Sequence, residues 1–210
     1  MSVYLRSHEP SSHPQPPSMS GLKMAVILGS TRPGRNGKVV ADWVVERAQG
    51  RSGATYELVD LLDHPLPHLD EPKPASMGHY EHEHTKAWSA VIAGFDGFVF
   101  VTPEYNHSTS GVLKNAIDYL KMEWQNKAAA FVGYGSVGAA RAVEHLRGVL
   151  TELQIAHVRQ SLAFSFFTDF EHFSVFKPAD IHRAHAEVMF TQLEAWAGAL
   201  KPLRATSDAT

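Results

Sequence analysis

The chain has 210 residues and a formal net charge of −3 with histidine neutral, and 44% of its residues are hydrophobic and 20% charged. This size suits one domain with a sizeable core, and the composition is that of an ordinary soluble globular protein. The slightly negative charge argues against a general nucleic-acid binder, and the absence of cysteine excludes disulfide, thiol-redox, iron–sulfur and cysteine–zinc chemistry. No apolar run approaches the ~20 residues that a membrane helix needs.

The two ends of the chain differ in composition from the part between them. The first 20 residues, MSVYLRSHEPSSHPQPPSMS, are rich in Pro, Ser and His and lack the apolar segment of a secretory signal. Such a segment buries too little apolar surface to offset its chain entropy, so we predict a disordered extension over residues 1–22. We predict a single folded domain over residues 23–200, a flexible tail over residues 201–210, and a cytoplasmic protein.

Strand and helix patterns alternate along the predicted domain. A short apolar run predicts a first strand over residues 23–29, and an apolar helical face predicts a first helix over residues 37–49. The same criteria predict, in chain order, strands at 54–61, 96–102, 127–135 and about 155–164, and helices at 82–94, 111–121, 138–153 and from about Pro178. Two segments without a period, 63–80 and the phenylalanine-rich 164–173, are predicted loops.

Several side-chain orientations follow from these helical periods. We expect Val112 to face the core from the helix at 111–121. In the last helix we expect one apolar side, formed by Ile181, His185, Val188, Leu193 and Trp196. Trp124 fits two interpretations, a subunit contact or a residue that covers the edge of the core.

Five strands that alternate with five helices predict an α/β fold, with a parallel sheet covered on both faces. We predict a flavodoxin-like three-layer sandwich with a five-stranded parallel sheet in the order 2-1-3-4-5. Ligands of such sheets bind beyond the carboxyl ends of the strands, where the strand order reverses. The site is therefore expected at the loops after strands 1, 3 and 4.

The loop after the first strand, GSTRPGRNGK, begins like a nucleotide-binding P-loop. Arg35 and Asn36, however, occupy the positions where that motif needs Lys and Ser or Thr. The backbone N–H groups of the loop and the N-terminus of the next helix favour a phosphate. Ser30 can add a hydroxyl, and Arg32 and Arg35 can add charge-assisted bonds. We predict an anion site, with a solvated turn shaped by its glycines as the alternative.

The loop after the third strand, TPEYNHSTSG, offers an aromatic ring at Tyr105 and an amide at Asn106. A flat heteroaromatic ligand needs such a combination, because one group stacks on its face and the other bonds its edge. Turns also contain these residue types for conformational reasons alone, so this loop is weak evidence by itself.

The loop after the fourth strand, GYGSVG, matches the dinucleotide fingerprint G-x-G-x-x-G, and Glu152 follows at about the distance of a ribose ligand. That fingerprint belongs on the first strand–helix turn of its fold, whereas this match is on the fourth. We therefore predict a glycine-rich rim beside a planar ligand. A Rossmann-type NAD-binding dehydrogenase that uses Gly133–Gly138 is the alternative.

Together the three loops suit a mononucleotide with a large flat ring. TPEYNHSTSGVLKNAIDYL, GSTRPGR and GYGSVGAARAVEHLR resemble the corresponding segments of the NADPH-dependent FMN reductase family, over roughly residues 23–165. The resemblance implies an oxidoreductase that passes electrons from NADPH or NADH through bound FMN to a small acceptor, by a ping-pong mechanism. The acceptor classes it implies are quinones, azo compounds, metal oxyanions and free flavin.

The resemblance also implies which residues bind FMN and that no side chain is catalytic, because the hydride chemistry takes place on the flavin. The implied phosphate ligands are Ser30, Arg32, Arg35, Asn36 and Gly37, the implied ring contacts are Pro103, Glu104, Tyr105 and Asn106, and the implied opposite rim is Gly135, Ser136 and Gly138. Either arginine could also hold the 2′-phosphate of NADPH.

This sequence departs from the family pattern at two positions. The family usually has a proline within the stretch at residues 109–111 and a glycine where Ala139 stands. The resemblance further implies a homodimer or homotetramer. A non-enzymatic FMN electron carrier and a regulatory module without cofactor are the remaining alternatives.

The histidines do not predict a metal site. His79, His82 and His84 are close together in HYEHEH, but no pair has helical spacing with a carboxylate, so we predict a polar surface loop. Ser136 is not in a G-x-S-x-G motif, which excludes the nucleophile turn of the α/β-hydrolases.

Overall fold

The computed structural model describes residues 21–205; residues 1–20 and 206–210 lie outside the described part of the chain. The strands are β1 (Leu22–Leu28), β2 (Ala54–Asp60), β3 (Gly97–Pro103), β4 (Ala128–Gly135), β5 (Ala156–His157), β6 (Leu162–Ser165), β7 (Phe170–Glu171) and β8 (Val175–Phe176). The helices are α1 (Gly37–Ala48), α2 (Glu83–Ala93), α3 (Gly111–Asp118), α4 (Ala140–Glu152) and α5 (Ile181–Ala205). Helix α5 thus extends beyond residue 200, the predicted end of the domain.

The main sheet is parallel and has the order β2-β1-β3-β4-β5, which confirms the predicted flavodoxin-like order. Both β5 and β6 pair with β4, one near its start and the other near its end. They share the fifth strand position, so the prediction of one continuous strand over residues 155–164 is wrong. The break has a physical cause, because the N–H of Gln160 donates to the side chain of Gln192 on α5 rather than to β4.

Alternation along the strands creates a separate apolar core on each face of the sheet. Met24, Val26 and Leu28 of β1 join the core beneath α1 and α5, whereas Ala25 and Ile27 join the core beneath α2, α3 and α4. The protein therefore has the three layers that the strand–helix alternation predicts.

The second core settles two expectations about side chains. Trp124 is fully buried there and its indole N–H donates to the carbonyl of Ile117 over 3.2 Å, so it is a core residue. Val112 is exposed, while the next residue, Leu113, is buried, so the predicted orientation of Val112 is wrong.

The last helix differs more from its prediction. It begins at Ile181 rather than near Pro178. Of the predicted apolar side only Leu193 is buried, and the other four residues, Ile181, His185, Val188 and Trp196, are exposed. Its buried face consists of Ala186, Met189, Phe190, Leu193 and Ala197. The small side chains at 186 and 197 allow α5 to lie close to the sheet.

A buried lysine stands just before β4. The ammonium of Lys127 donates to the carbonyls of Ile92 (2.8 Å) and Ala93 (3.4 Å) at the end of α2, and lies 5.5 Å from the ring centroid of Phe98. Burial lowers the pKa of Lys127 to about 8. The ammonium thereby adds bonds to the carbonyls at the end of α2, where the carbonyl of Ile92 also accepts from the N–H of Phe95 over 3.3 Å.

This lysine predicts a pH dependence of stability. The pKa of an unfolded lysine is ~10.4. Between about pH 8 and that value the unfolded chain therefore binds more protons than the native protein, so the free energy of unfolding rises with pH. We expect the free energy of unfolding of the wild type, minus that of Lys127→Met, to grow by roughly 1–3 kcal/mol from pH 7.5 to 10.5 in urea titrations. A difference that stays constant over this range would show that Lys127 remains charged in the native protein.

Candidate functional site

The loops after β1, β3 and β4 meet at one edge of the sheet and are joined by hydrogen bonds. The Ser30 and Tyr105 hydroxyls lie 2.9 Å apart, which links the loops after β1 and β3. The hydroxyl of Ser110 donates to the carbonyl of Gly29 and also caps α3 by accepting from the N–H of Leu113. The strand order has therefore assembled these three loops where the sequence predicted a site.

The loop after β1 presents positive groups to solvent. Arg32 is exposed, and its guanidinium makes no ion pair with any residue in 21–205. Helix α1 follows with no acidic residue in its first turn and no side-chain cap, because the amide of Asn36 donates instead to the carbonyl of Phe173 over 2.8 Å. The first N–H groups of α1 are thus available to an anion.

Two other polar side chains of this loop point inward. Ser30 is fully buried and its hydroxyl contacts Tyr105. Arg35 forms a two-bond ion pair with Asp60 at the end of β2, with N···O distances of 2.8 and 2.5 Å, and also donates to the carbonyl of Ser30. The side chains of Arg35 and Asp60 are only 12% and 10% exposed. In this conformation both hold the loop in place.

Tyr134 is a residue of this site that the sequence analysis missed. A Cβ at Gly37 would overlap its hydroxyl oxygen, so glycine is required for α1 to begin this close to β4. That hydroxyl is buried close to the hydroxyl of Ser30, and burial raises the pKa of Tyr134. Strand alternation across GYGSVG could have placed Tyr134 on the α1 side of the sheet.

The loop after β3 contains a tight hairpin turn. Tyr105 and Ser108 exchange both backbone hydrogen bonds, at 2.9 and 3.2 Å. The two residues between them, Asn106 and His107, have φ values of +49° and +74°, as a type I′ turn requires. Asn and His adopt a positive φ more often than most other residues, so both suit this turn. Asn106 and His107 are both exposed at the tip.

Glu104 ties the loop after β3 to the start of α4. Its carboxylate pairs with the guanidinium of Arg141 and accepts from the N–H of the same residue over 3.1 Å. Burial alone would raise the pKa of Glu104, but the bonds from Arg141 outweigh it and hold that pKa below its usual value. Pro103, the last residue of β3, is buried.

Glycines at the end of β4 and in the loop after it allow neighbouring segments of the backbone to pack closely against each other. A Cβ at Gly138, where φ is +63°, would lie 2.6 Å from that of Ala163 on β6, and a Cβ at Gly133 would overlap the carbonyl of Gly138. Ser136 is exposed, and its carbonyl accepts from the hydroxyl of Ser165 over 3.0 Å. Gly135, with φ +156°, is buried, and a Cβ there would lie 3.8 Å from the backbone nitrogen of Ala139 and 3.9 Å from the Cβ of Glu104.

The dinucleotide alternative does not fit this geometry. Glu152 is the last residue of α4, which has 13 residues and is therefore about 20 Å long. Its carboxylate lies near Lys121, 3.4 Å away, at the opposite end of the helix from Gly133–Gly138. It cannot bond a ribose at that turn.

A phenylalanine-rich segment borders the loop after β1. The predicted loop at 164–173 contains the end of β6 and the start of a small antiparallel β7–β8 hairpin, and the sequence did not predict this hairpin. Phe167 and Phe173 are exposed and their ring centroids are 5.8 Å apart. This pair places an aromatic surface next to Asn36.

Two histidine side chains of the segment HYEHEH contact residues that are near them in the fold. His84 Nε2 lies 2.9 Å from the carboxylate of Asp70, and the His82 ring stacks on that of His84 with centroids 5.1 Å apart. Within residues 21–205 no three His, Cys, Asp or Glu side chains are grouped as metal ligands. In the same residues no helix combines the length and hydrophobicity needed to span a bilayer.

Comparisons with known proteins agree on one family. The family described as NADPH-dependent FMN reductase matches residues 22–169. An NAD(P)H-dependent FMN reductase of Schizosaccharomyces pombe is 46% identical over 133 residues, which cover 61% of this chain and 66% of the relative. A 2-hydroxy-1,4-benzoquinone reductase of a Burkholderia species is 36% identical over 146 residues, 66% of this chain and 76% of the relative.

A solved structure supports the fold. The flavoenzyme NAD(P)H:(acceptor) oxidoreductase FerB of Paracoccus denitrificans superimposes with a TM-score of 0.66 over 84% of this chain and 97% of its own. The two sequences are 22% identical, so the likeness concerns the fold alone.

The ion pair behind the first loop predicts a stability difference. Asp60→Asn removes the counter-charge of the mostly buried Arg35, so we expect the free energy of unfolding to fall by roughly 2–4 kcal/mol in urea titrations. The control is Asp42→Asn, because Asp42 pairs with Lys38 and its side chain is 50% exposed. That variant should lose at most about 1 kcal/mol. Equal small losses in both variants would contradict a structural role for the Arg35–Asp60 pair.

Proposed function

The chain belongs to the NADPH-dependent FMN reductase family, and from that membership we propose that it passes electrons from NADPH or NADH through bound FMN to a small acceptor. One observation carries this proposal beyond the family. The anion-accepting loop after β1 and the rigid loops after β3 and β4 are hydrogen-bonded into one cradle. A phosphate and a flat ring need these surfaces side by side.

The FMN phosphate would bind at the start of α1. Arg32 supplies an unpaired guanidinium there, and Asn36 and Gly37 supply backbone N–H groups at the positive end of the helix. The first turn of α1 carries no carboxylate that would repel the phosphate. These groups fit a monophosphate without a magnesium ion.

Ser30 and Arg35 would support the phosphate indirectly. Their side chains are turned toward Tyr105 and Asp60, and Arg35 also bonds the carbonyl of Ser30. We therefore assign the direct charge contact to Arg32 and a positioning role to Arg35.

The ring of FMN would lie between the loops after β3 and β4. Pro103, Glu104, Tyr105 and Asn106 would border one side, and Gly135, Ser136 and Gly138 the other. Glu104 fixes the separation of the two loops through Arg141. Since small residues follow β4, backbone can approach the ring closely.

Bound FMN supplies hydride and electron transfer, and the side chains around it bind and orient. Glu104 is ionised near neutral pH because its pKa is below the usual value, so it is not a proton donor there. If one face of the ring serves both substrates, the nicotinamide must leave before the acceptor enters. We therefore propose ping-pong kinetics. The proposed acceptors are quinones, azo compounds, metal oxyanions and free flavin.

We also propose a homodimer or homotetramer and a cytoplasmic location. The exposed aromatic pair Phe167 and Phe173, with the exposed Val137 on the loop after β4, supports a subunit contact near the site.

An absorbance experiment tests the proposed reaction. We expect the purified protein to bind FMN, and we expect the visible absorbance of the flavin to be bleached by NADPH without oxygen and restored by a quinone. Protein without NADPH is the control. A protein that binds no FMN, or whose bound FMN stays oxidised with both NADPH and NADH, would contradict the reductase function.

A pair of substitutions tests the phosphate contact. Arg32→Ala should weaken FMN binding by roughly 1.5–3 kcal/mol, or about 10- to 150-fold in Kd, because it removes a charge-assisted bond. Arg47→Ala makes the same charge change at the opposite end of α1 and should leave the affinity unchanged. FMN titrations followed by fluorescence measure both. Equal affinities for Arg32→Ala and the wild type would exclude Arg32 from the phosphate site.

A further inference from the structure

The hydroxyl groups of Tyr134, Ser30 and Tyr105 form a row behind the proposed phosphate loop, the hydroxyl row. The hydroxyl of Ser30 lies 2.9 Å from that of Tyr105, in the loop after β3, and close to that of Tyr134 on β4. Ser30 and Tyr134 are buried, whereas Tyr105 is half-buried where the three loops meet. The row therefore leads from the interior of the protein to the edge of the proposed FMN site.

The inner end of the hydroxyl row lies beside the start of α1. A Cβ at Gly37 would overlap the hydroxyl oxygen of Tyr134, so this oxygen is next to the first turn of the helix. Apart from Ser30, no residue in 21–205 offers that hydroxyl a hydrogen bond. A buried hydroxyl proton without an acceptor is unfavourable, so the proton of Tyr134 is directed to Ser30.

The hydrogen-bonding capacity of Ser30 sets the direction of the next bond in the row. A serine hydroxyl can accept two hydrogen bonds and donate one. Its oxygen accepts from the N–H of Arg32 over 3.4 Å, and the proton of Tyr134 occupies the second acceptor position. Ser30 therefore has only its own proton to share with Tyr105, and the oxygen of Tyr105 accepts it.

This direction leaves the proton of Tyr105 available to a ligand. Within residues 21–205 the Tyr105 hydroxyl has no hydrogen-bond partner besides Ser30. Because Ser30 belongs to the loop after β1, the free O–H group lies beside the loop that would hold the FMN phosphate. Phosphate oxygens are strong acceptors, so a hydroxyl fixed as a donor suits them.

We propose that Tyr134, acting through Ser30, fixes the hydroxyl of Tyr105 as a hydrogen-bond donor to the FMN phosphate. Tyr134 is then a positioning residue that does not touch FMN, and Tyr105 contacts the phosphate with its hydroxyl while its backbone borders the ring. Without the proton of Tyr134 the row can reverse, because Ser30 regains a free acceptor position to which Tyr105 can donate. This assignment rests on the proposed function, since it needs FMN at this edge.

Fluorescence titrations of the full-length protein with FMN and with riboflavin, which lacks the phosphate, test the assignment. Tyr105→Phe should weaken FMN binding by about 10- to 150-fold, the loss of a bond to a charged group, and should leave riboflavin binding unchanged. Tyr134→Phe should weaken FMN binding by about 2- to 10-fold, because the phosphate bond can still form once the row is turned back. It too should leave riboflavin binding unchanged.

A double variant separates positioning from packing. If Tyr134 acts only through Tyr105, the double variant Tyr105→Phe with Tyr134→Phe should bind FMN as Tyr105→Phe alone does. The matched control is Tyr80→Phe, which removes a hydroxyl bonded to Glu123 on the other face of the sheet and should leave both affinities unchanged. If Tyr134→Phe does not fold, Ser30→Ala interrupts the row and replaces it, with the same expected results.

Three results would overturn the assignment. The first is an unchanged FMN affinity in Tyr105→Phe or Tyr134→Phe, the second is an equal loss of FMN and riboflavin affinity, and the third is independent losses that multiply in the double variant. NADPH bleaching of FMN bound to the wild type is measured alongside. Any of the three results with normal wild-type binding and bleaching contradicts the hydroxyl row alone, whereas absent FMN binding or bleaching in the wild type contradicts the proposed function.

Discussion

The ion pair between Arg35 and Asp60 is the contact on which the geometry of the site depends. It connects the loop after β1 to the end of β2. The guanidinium of Arg35 also donates a hydrogen bond to the carbonyl of Ser30. Removing two charges from water is expensive, so a mostly buried pair is weak evidence of added stability. We infer that its main effect is specificity, because it fixes one loop conformation in which Arg32 remains free for an anion.

Further hydrogen bonds and an ion pair connect the loop after β1 to the loop after β3, and that loop to the start of α4. Ser30 bonds Tyr105, Ser110 bonds Gly29, and Glu104 binds Arg141 at the start of α4. Each bond joins segments far apart in the chain but adjacent at the sheet edge. A cradle assembled before its ligand loses less conformational entropy on binding than loops that must order around it.

The sequence predicted the parts that depend on local pattern. Short apolar runs identified the central strands, and the order of strands and glycine-rich turns located the site edge. It did not predict the direction of Arg35, because the partner Asp60 is 25 positions away and either direction suits a loop arginine. The break at Gln160 and the buried face of α5 were missed for the same reason, since each depends on a contact with a distant part of the chain. Tyr134 was missed although the local strand alternation of GYGSVG could have placed it.

The break between β5 and β6 has a consequence for the behaviour of the protein at high concentration. A long, flat outer strand offers a row of unpaired N–H and C=O groups on which another chain can form a strand, the first step toward aggregates. Here that side of the sheet carries only short strands, of two and four residues, with a charged Arg159 between them. The same diversion of backbone toward α5 that ends β5 therefore makes this edge of the sheet a poor template for edge-to-edge association.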